Sequence, residues 1–314
     1  MMTKDRLQHN PGGERMVWLD VARALMLVPV IIEHTEAAFL ADPVDNMMLT
    51  VFWLSSGHTS RPGFNLLTKA KVILLPYVLM CLLCLLFTWF YMGDPFSADQ
   101  LWGVLYGRFA IWKGSEGTWH PLLMKAYNSV LWFLPSLFTA FIVFRLLISV
   151  RGVIWNILAL LGCVILSDIL TRLPLFLPWS LDTAPVFGAM IYAGRLLRLS
   201  DWTNYQWYVL IGGGIIYFGL NRLNGLGNIS LGDFGTSIWI WAPTAFIGAT
   251  AFITLCRMIR SLRVSRIIAW FNDGALFIFG MQLVFIKLAE ESYANFYPES
   301  WKVRLLIVLI FCFA

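Results

Sequence analysis

The stretch WLDVARALMLVPVIIEH, residues 18–34, is an apolar helix of membrane type that carries an arginine and a histidine. Leu, Val, Ile and Met dominate it, yet Arg23 lies near its start and His34 ends it. The two are eleven residues apart, which on an α-helix is about 20° past three turns and about 16 Å along the axis. The spacing predicts that Arg23 and His34 share a face, with Asp20 near enough to pair with Arg23.

Two interpretations of these side chains stay open on the residues alone. Arg23 lies about two turns inside the span, so it either reaches back to the membrane surface or faces a wet cleft. His34 either packs as a neutral ring with one hydrogen-bond partner or performs acid–base chemistry in that cleft. Glu33 and Glu36 are the nearby acids that can orient the ring, although Glu33 points about 100° away on a helix.

The whole chain has the composition of a membrane protein. Of its 314 residues, 59% are hydrophobic and only 13% are charged, and the mean hydropathy is +0.72. Soluble domains carry about a quarter charged residues, and the apolar blocks here have the length needed to cross a bilayer. The sequence predicts an all-α, polytopic integral membrane protein with about ten transmembrane helices, in segments 17–40, 45–57, 72–93, 129–150, 153–171, 182–199, 206–221, 236–258, 268–289 and 302–314.

The distribution of charge predicts the orientation. With the N-terminus inside, most Lys and Arg residues fall in inner segments and acids outnumber bases in outer ones, as the positive-inside rule expects. We expect one domain over 1–314 in the inner (plasma) membrane, with a cytoplasmic leader at 1–16 and a long outer loop at 94–128. Within that loop DQLWGVLYGRFAIW (99–112) is amphipathic and suits the lipid interface. No basic run with interleaved aromatics is present, so we expect no nucleic-acid partner.

Three further patterns favour packing over chemistry. Cys81 and Cys84 have redox or metal spacing, but they lie in the apolar run YVLMCLLCLLF without a nearby His or acid. The GGG run at 212–214 lies in an apolar span, which favours close helix packing over a nucleotide loop. The scattered His, Asp and Glu residues have no metal-ligand spacing, so we expect no metal.

Several segments together resemble the membrane-bound acyltransferase-3 family. WLDVARALMLVPVIIEH resembles the family's opening span, which pairs an Arg or Lys with a His after ten intervening residues. LWFLPSLF at 131–138 resembles its Leu-Trp-Phe-Leu signature. FWLSSGHTS (52–60) and KAKVILLPYVL (69–79) resemble two further sequence segments of the family. LPWSLDTAPVFGAMIYAGRLLR (177–198) and NGLGN (224–228) resemble the branch of fucose 4-O-acetylase-like proteins.

The resemblance implies an O-acyltransferase, more narrowly an O-acetyltransferase. Its donor would be acetyl-CoA or a related acyl-CoA from the cytoplasm, and its acceptor a hydroxyl of a surface polysaccharide or a lipid-linked sugar. A sugar hydroxyl needs a base as it attacks a thioester, and His34 has a suitable ordinary pKa. His34 would therefore be catalytic, as base or as transient acyl carrier, with Glu33 beside it. The residues expected to hold the phosphates of the donor are Arg23, Arg61, Lys69, Lys71 and Arg195.

Four residues are candidates for acceptor binding. Trp132 and Trp179 are either stacking platforms for a sugar or members of the aromatic belt at the membrane interface. Asp182 begins the predicted span 182–199 at the outer face, where it can hold a sugar hydroxyl, and His120 lies in the outer loop. The lipid bilayer is the other expected partner.

Two alternatives to catalysis remain at this stage. Ten spans with helices interrupted by Gly and Pro also suit a transporter or flippase of a lipid-linked sugar or small anion, although no inverted repeat is visible. The sequence departs from the fucose 4-O-acetylase-like branch at Gln282, which stands near the place of a usual histidine, and at Ala275, where Ser is usual. These departures keep open a third possibility, a relative without activity that serves as a scaffold.

Overall fold

The structure of the chain is a computed structural model that describes residues 16–61, 63–108, 110–114, 119–200, 202–259, 263–294 and 300–313. These residues form eleven α-helices and one short β-hairpin. The helices are α1 (Val17–Ile32), α2 (Asp45–Thr59), α3 (Leu66–Phe90), α4 (Ala98–Tyr106), α5 (Phe133–Leu147), α6 (Val153–Thr171), α7 (Ala184–Leu199), α8 (Gln206–Asn224), α9 (Ile238–Met258), α10 (Arg263–Tyr293) and α11 (Trp301–Phe313). The hairpin pairs β1 (Ala110–Lys113) with β2 (Trp119–Leu122) in antiparallel register.

The predicted all-α membrane fold is confirmed, whereas the count of ten spans is not. Within the described part of the chain, five helices are long and apolar enough to cross a bilayer. Each of the ten predicted segments coincides with a helix, but several helices fall short of the roughly twenty residues that a span needs. The five long helices are Leu66–Phe90, Ser129–Leu147, Val153–Thr171, Ile238–Met258 and Ser265–Tyr293.

Two predicted boundaries were wrong, and both changes affect candidate residues. α1 ends at Ile32 rather than near residue 40, because the chain turns there, with the amide of His34 donating to the carbonyl of Ile31 at 3.0 Å. α3 begins at Leu66 rather than at 72, because the Asn65 side chain accepts from the amide of Leu67 and caps the helix. Lys69 and Lys71 therefore lie on the first turns of α3 and not in a loop.

Contacts between helix ends define two ends of the bundle: the last residues of α2 and α7 lie near the start of α1, and the start of α2 and the loop after α8 lie near its finish. We call the end where α1 begins the Arg23 end and the end where α1 finishes the His34 end. α1 packs on α10, and α2 packs on both α7 and α9 at the centre of the bundle. Trp53 of α2 stacks on Phe187 of α7 with ring centroids 3.9 Å apart.

A pair of glycines lets α2 and α7 approach closely. A Cβ on Gly57 would lie 1.7 Å from the carbonyl oxygen of Ile191, and one on Gly194 would lie 2.1 Å from that of Leu54. Small residues at such crossings are the usual means of close packing between membrane helices. In the predicted GGG run, by contrast, a Cβ on Gly212 or Gly214 would have no described atom within 4 Å.

The predicted outer loop at 94–128 contains α4 and the hairpin. α4 begins where the side chain of Gln100 accepts from the amide of Ser97, and it ends at Gly107, whose φ of +67° suits glycine. Its exposed side carries Leu101, Trp102 and Leu105, the amphipathic pattern expected from the sequence. The predicted leader at 1–16 lies outside the described residues apart from Met16.

Candidate active site

A cavity of about 100 Å³ opens at the His34 end of the bundle. Helices α1, α2, α5 and α10 contribute to its wall, together with the segments after α1, before α5 and after α8, so it lies where several chain segments meet. Its lining combines acids, amides and a histidine with apolar and aromatic side chains, as binding pockets usually do. The lining residues are Val30, Glu33, His34, Asp45, Met48, Leu49, Val130, Trp132, Phe133, Gly227, Asn228, Ile229, Ser230, Phe279 and Gln282.

The ring of His34 is held in one orientation by the backbone. Its Nδ1 lies 2.8 Å from the carbonyl oxygen of Val30, one turn earlier. A carbonyl only accepts hydrogen bonds, so Nδ1 carries the proton and, in the neutral ring, Nε2 has the free electron pair. His34 is exposed and lines the cavity, which leaves Nε2 available as a base.

Glu33 and Asp45 place carboxyl groups on the same cavity. Glu33 lies in the loop after α1, with Asp42 close enough to act on its charge. Burial and then the negative charge of Asp42 raise the pKa of Glu33 to about 7. Among the described residues, no group of three or more His, Cys, Asp and Glu side chains is arranged to hold a metal ion.

Glu36, the other acid near His34, has a different partner. Arg304 of α11 donates through Nε and Nη2 to its two carboxylate oxygens. This ion pair ties the loop after α1 to the last helix. The orienting contact of the imidazole is therefore the Val30 carbonyl, and Glu36 is engaged elsewhere.

The opposite end of α1 carries Arg23 in a polar setting. Its Nη1 lies 3.5 Å from Oδ1 of Asp20, which confirms the predicted pairing. Asn272 of α10 donates to the same carboxylate at 3.0 Å. Arg23 keeps 22% of its side chain exposed, so it remains accessible at this end.

Further cations converge on the Arg23 end. Arg198 of α7 donates to the carbonyl of His58 at 3.1 Å, and Trp18 contacts the His58 ring edge-on at 5.0 Å. Arg23 and Arg257 also lie within electrostatic reach of His58, and Lys69 lies within reach of Arg23. We call this set the cation cluster: Arg23, His58, Lys69, Arg198 and Arg257.

Comparison with known proteins identifies the family. The family model described as an acyltransferase domain, acyltransferase-3, matches residues 16–314. The chain belongs to the acyltransferase-3 family. No curated protein and no solved structure matches it. The match supports a membrane acyltransferase and does not distinguish the fucose 4-O-acetylase-like branch.

The residues predicted to bind the acyl donor of this acyltransferase do not all lie in the cation cluster. Arg23 and Lys69 belong to the cation cluster, and Lys69 also lies 4.4 Å over the ring of Phe141. Arg195 is half-buried on α7, one turn before Arg198. Arg61 and Lys71 are exposed near the same end. Whether any of them binds a donor stays a prediction.

The predicted acceptor residues separate into two places. Trp132 is buried and lines the cavity with His34, so it faces the protein interior rather than lipid. Trp179 donates through Nε1 to the carbonyl of Leu105 at 2.7 Å, away from the cavity lining. His120 lies in β2 opposite Trp112, and its side chain lies outside what the structure describes.

Asp182 belongs to a second polar cluster near the cavity. Its Oδ2 accepts from Arg108 at 2.7 Å, and the two side chains are 0% and 1% exposed. Arg108 also donates to Ser180 Oγ at 3.0 Å and to the carbonyl of Ser230 at 2.7 Å. Trp179 and Ser180 have φ values of +53° and +57°, which non-glycine residues seldom adopt. The Asp182 carboxylate is thus occupied by protein groups.

Sequence reasoning did not select several residues that the acyltransferase places at these two sites. Asp45 and Gln282 line the cavity, and Gln282 is a polar residue in an apolar run, which is a usable signal in a membrane protein, whereas Asp45 begins α2 beside other polar residues. Asn228 and Ser230 come from a loop whose position no local pattern fixes. Arg198 and Arg257 were among the basic residues that predicted the orientation in the membrane and were not candidate site residues, although each lies at the end of a helix beside His58.

Proposed function

We propose that this membrane acyltransferase moves an acyl group, most simply acetyl, from cytoplasmic acyl-CoA to a hydroxyl of a sugar. The acceptor is a surface polysaccharide or a lipid-linked precursor. The observation that carries the proposal is the arrangement of His34, with Nδ1 held by the Val30 carbonyl and Nε2 free beside a polar cavity. A base arranged in this way is what transfer to a hydroxyl requires.

The proposed reaction conserves atoms and charge. The acceptor oxygen attacks the thioester carbonyl carbon while its proton passes to Nε2 of His34. The carbon–sulfur bond then breaks, and the proton goes to the departing sulfur, which leaves the ester and free coenzyme A. The Val30 carbonyl accepts from Nδ1–H throughout, so the ring keeps its orientation as it becomes charged.

The cation cluster is the proposed site for the phosphates of the donor. Arginine forks suit phosphate oxygens, and three arginines with Lys69 provide positive charge around His58 at one end of the bundle. Arg23 lies in the second turn of α1 and His34 follows its last residue, Ile32, so the two lie at opposite ends of the bundle, with about 14 Å of helix between Arg23 and Ile32. That placement matches an extended donor whose phosphates and thioester are far apart.

The proposed orientation puts the Arg23 end in the cytoplasm and the His34 end at the outer face. Its support is the excess of Lys and Arg in segments that share the Arg23 end. Acyl-CoA is a cytoplasmic molecule, so this orientation gives the cation cluster direct access to it. In a bacterial host the corresponding membrane is the inner one.

The first test follows isotopically labelled acetyl-CoA into glycan in membranes that contain the full chain. We expect His34→Ala to lower transfer by about a hundredfold or more, the usual contribution of a general base. We expect Arg23→Ala to raise the donor concentration needed for half-maximal transfer by about tenfold, since one charge-assisted contact is lost. Arg151→Ala is the matched control, because it removes an exposed arginine from the same end of the bundle.

Three results would contradict parts of this proposal. Transfer that persists in His34→Ala removes the histidine as the base. An equal response to Arg23→Ala and Arg151→Ala removes the cation cluster as the donor site. Uptake or flipping of a lipid-linked sugar by the wild type, without transfer from any acyl-CoA offered, favours the transporter instead.

A further inference from the structure

Gln282 is a buried amide without a partner on the wall of the His34 cavity. It comes from α10, its side chain is 0% exposed, and it lines the cavity. Neither its amide nitrogen nor its oxygen makes a hydrogen bond to another described residue. Two other buried amides of the fold are paired, since Asn46 donates to Asn221 at 2.6 Å and Asn224 donates to Asn46 at 3.2 Å. An unpaired buried amide is costly and calls for an explanation.

The surroundings of Gln282 indicate which partner it lacks. Glu33 and Asp45 bring carboxyl groups to the same cavity, and Trp132 contributes an aromatic wall. An amide both donates and accepts, carboxyl oxygens accept from hydroxyls, and a flat ring covers an apolar sugar face. These are groups that recognise a hydroxylated ring.

The size and charge of the cavity limit which acceptor molecules it can bind. About 100 Å³ is the space of a few water molecules, so the cavity admits one edge of a larger acceptor rather than a whole coenzyme. Among the described residues, Glu33 and Asp45 form no ion pair, although other carboxylates of the chain do. Where these carboxyl groups are ionised, a carboxylate or phosphate on the acceptor would meet like charge, and no cation among the described residues pairs with them to offset it.

We propose that Gln282, Glu33 and Asp45 form the acceptor subsite of the cavity, and that this subsite takes an uncharged ring edge with two neighbouring hydroxyls. One hydroxyl faces Nε2 of His34 and reacts. The amide nitrogen of Gln282 donates a hydrogen bond to the oxygen of the neighbouring hydroxyl, and its amide oxygen accepts a hydrogen bond from the hydroxyl hydrogen. Acceptors with an acidic group beside the reacting hydroxyl are rejected. The inference rests on the proposed function, because it concerns the same reaction.

The experiment offers two soluble acceptors to membranes that contain the full chain and labelled acetyl-CoA. The acceptors are methyl glucoside, which is neutral, and methyl glucuronide, which carries a carboxylate on the same ring. We expect label in the glucoside and little in the glucuronide. Gln282→Leu should lower transfer to the glucoside by about tenfold or more, the loss typical of a polar site built for a substrate hydroxyl. It should leave the donor concentration for half-maximal transfer unchanged.

Two variants and a stability measurement separate recognition from folding. Replacing an unpaired buried amide by Leu should keep or raise the unfolding temperature of the purified chain, whereas loss of a structural contact would lower it. Asn128→Leu is the control: Asn128 is also a buried amide, its side chain lies within hydrogen-bonding reach of the Cys81 thiol, and it lies outside the cavity lining. It should leave transfer unchanged. Asp45→Asn should narrow the preference for the neutral acceptor.

The outcomes distinguish this inference from the proposed function. Equal labelling of both acceptors, or full transfer by Gln282→Leu, overturns the subsite while His34-dependent transfer still stands. If the wild type labels only its own membrane glycan, the two glycosides are added as competitors, and inhibition by the glucoside alone supports the subsite. Equal inhibition by both, or none, overturns it. Absence of any transfer by the wild type overturns the proposed function and the subsite with it.

Discussion

Two polar clusters lie side by side at the His34 end, and they differ in how their charges are met. Arg108 and Asp182 are almost fully buried and bonded to each other, and Arg108 also bonds Ser180 and the carbonyl of Ser230. Around the cavity, Glu33 has no cation among the described residues, and the amide of Gln282 is unpaired. Ser230 belongs to both clusters, because it also lines the cavity. The paired charges of Arg108 and Asp182 stabilise the fold, whereas the polar groups of the cavity that lack a partner in the protein are the ones that we propose bind a ligand.

The largest effect expected from this contrast is on stability. Asp182→Ala leaves the Arg108 guanidinium buried without its counter-ion, and breaking a buried pair in this way costs about 3–5 kcal/mol. We expect a large fall in the unfolding temperature of the purified chain and little folded protein in the membrane. The measurement is thermal unfolding in detergent, followed by size-exclusion chromatography.

The control is a second Arg–Asp pair of the same chain. Asp168 and Arg172 are one turn apart on α6, and 75% of the Arg172 side chain is exposed. Pairs at the surface contribute about 0–1 kcal/mol, so Asp168→Ala should change the unfolding temperature little. His34→Ala should also leave it unchanged while transfer is lost. If Asp182→Ala folded normally and lost only transfer, Asp182 would belong to the site and the contrast would fail.

An intermediate effect is expected at the helix crossing that links the two clusters. α2 begins at Asp45 of the cavity, and α7 follows Asp182, so their crossing fixes one cluster against the other. In Gly194→Ala the new methyl group would lie 2.1 Å from the carbonyl oxygen of Leu54, which forces the helices apart. Such overpacking costs about 1–3 kcal/mol. We expect both the unfolding temperature and the rate of transfer to fall.

Gly212→Ala is the matched control for that substitution. A Cβ there meets no described atom within 4 Å, and alanine favours helix over glycine. The unfolding temperature should stay the same or rise, and transfer should be retained. Equal losses in both variants would mean that the crossing of α2 and α7 has no special role.

The sequence predicted the helices far better than it predicted how they meet. Apolar length placed a helix on every predicted segment, and the spacing of Asp20 and Arg23 predicted their pairing. Both signals are local, since each depends on residues within a few turns. Of the GGG run at 212–214, Gly213 packs as predicted, since a Cβ there would lie 3.4 Å from the Cβ of Ala251, but the tighter crossing uses Gly57 and Gly194, which only the three-dimensional contact identifies.

The candidate site shows the same limit. His34 and Trp132 were selected from the sequence and share one cavity, but Asp182 was expected to hold a sugar and instead bonds Arg108. Arg108 is 74 residues away in the chain, so no pattern near Asp182 revealed its partner. Gln282 appeared in the sequence as a departure from a family pattern. Its buried, unpaired amide became evident only once α10 was placed against the cavity.

The smallest effect expected is on the dependence of stability on pH. It tests whether the carboxyl groups of the cavity lack a paired cation. The pKa of Glu33 is raised from 4.5 to about 7, so the folded chain binds a proton that the unfolded chain releases. The stability gained in this way is complete below the ordinary pKa and is lost as pH rises through the raised value. We expect the unfolding temperature of the wild type to fall between about pH 4.5 and pH 7, and Glu33→Gln to flatten that fall. Glu290→Gln, which removes an exposed glutamate from α10, should leave it unchanged. A cation paired with Glu33 would instead lower the pKa of its carboxyl, and stability would then rise with pH in the acidic range. A rise in unfolding temperature with pH that Glu33→Gln removes would therefore show that the Glu33 carboxylate has a paired cation.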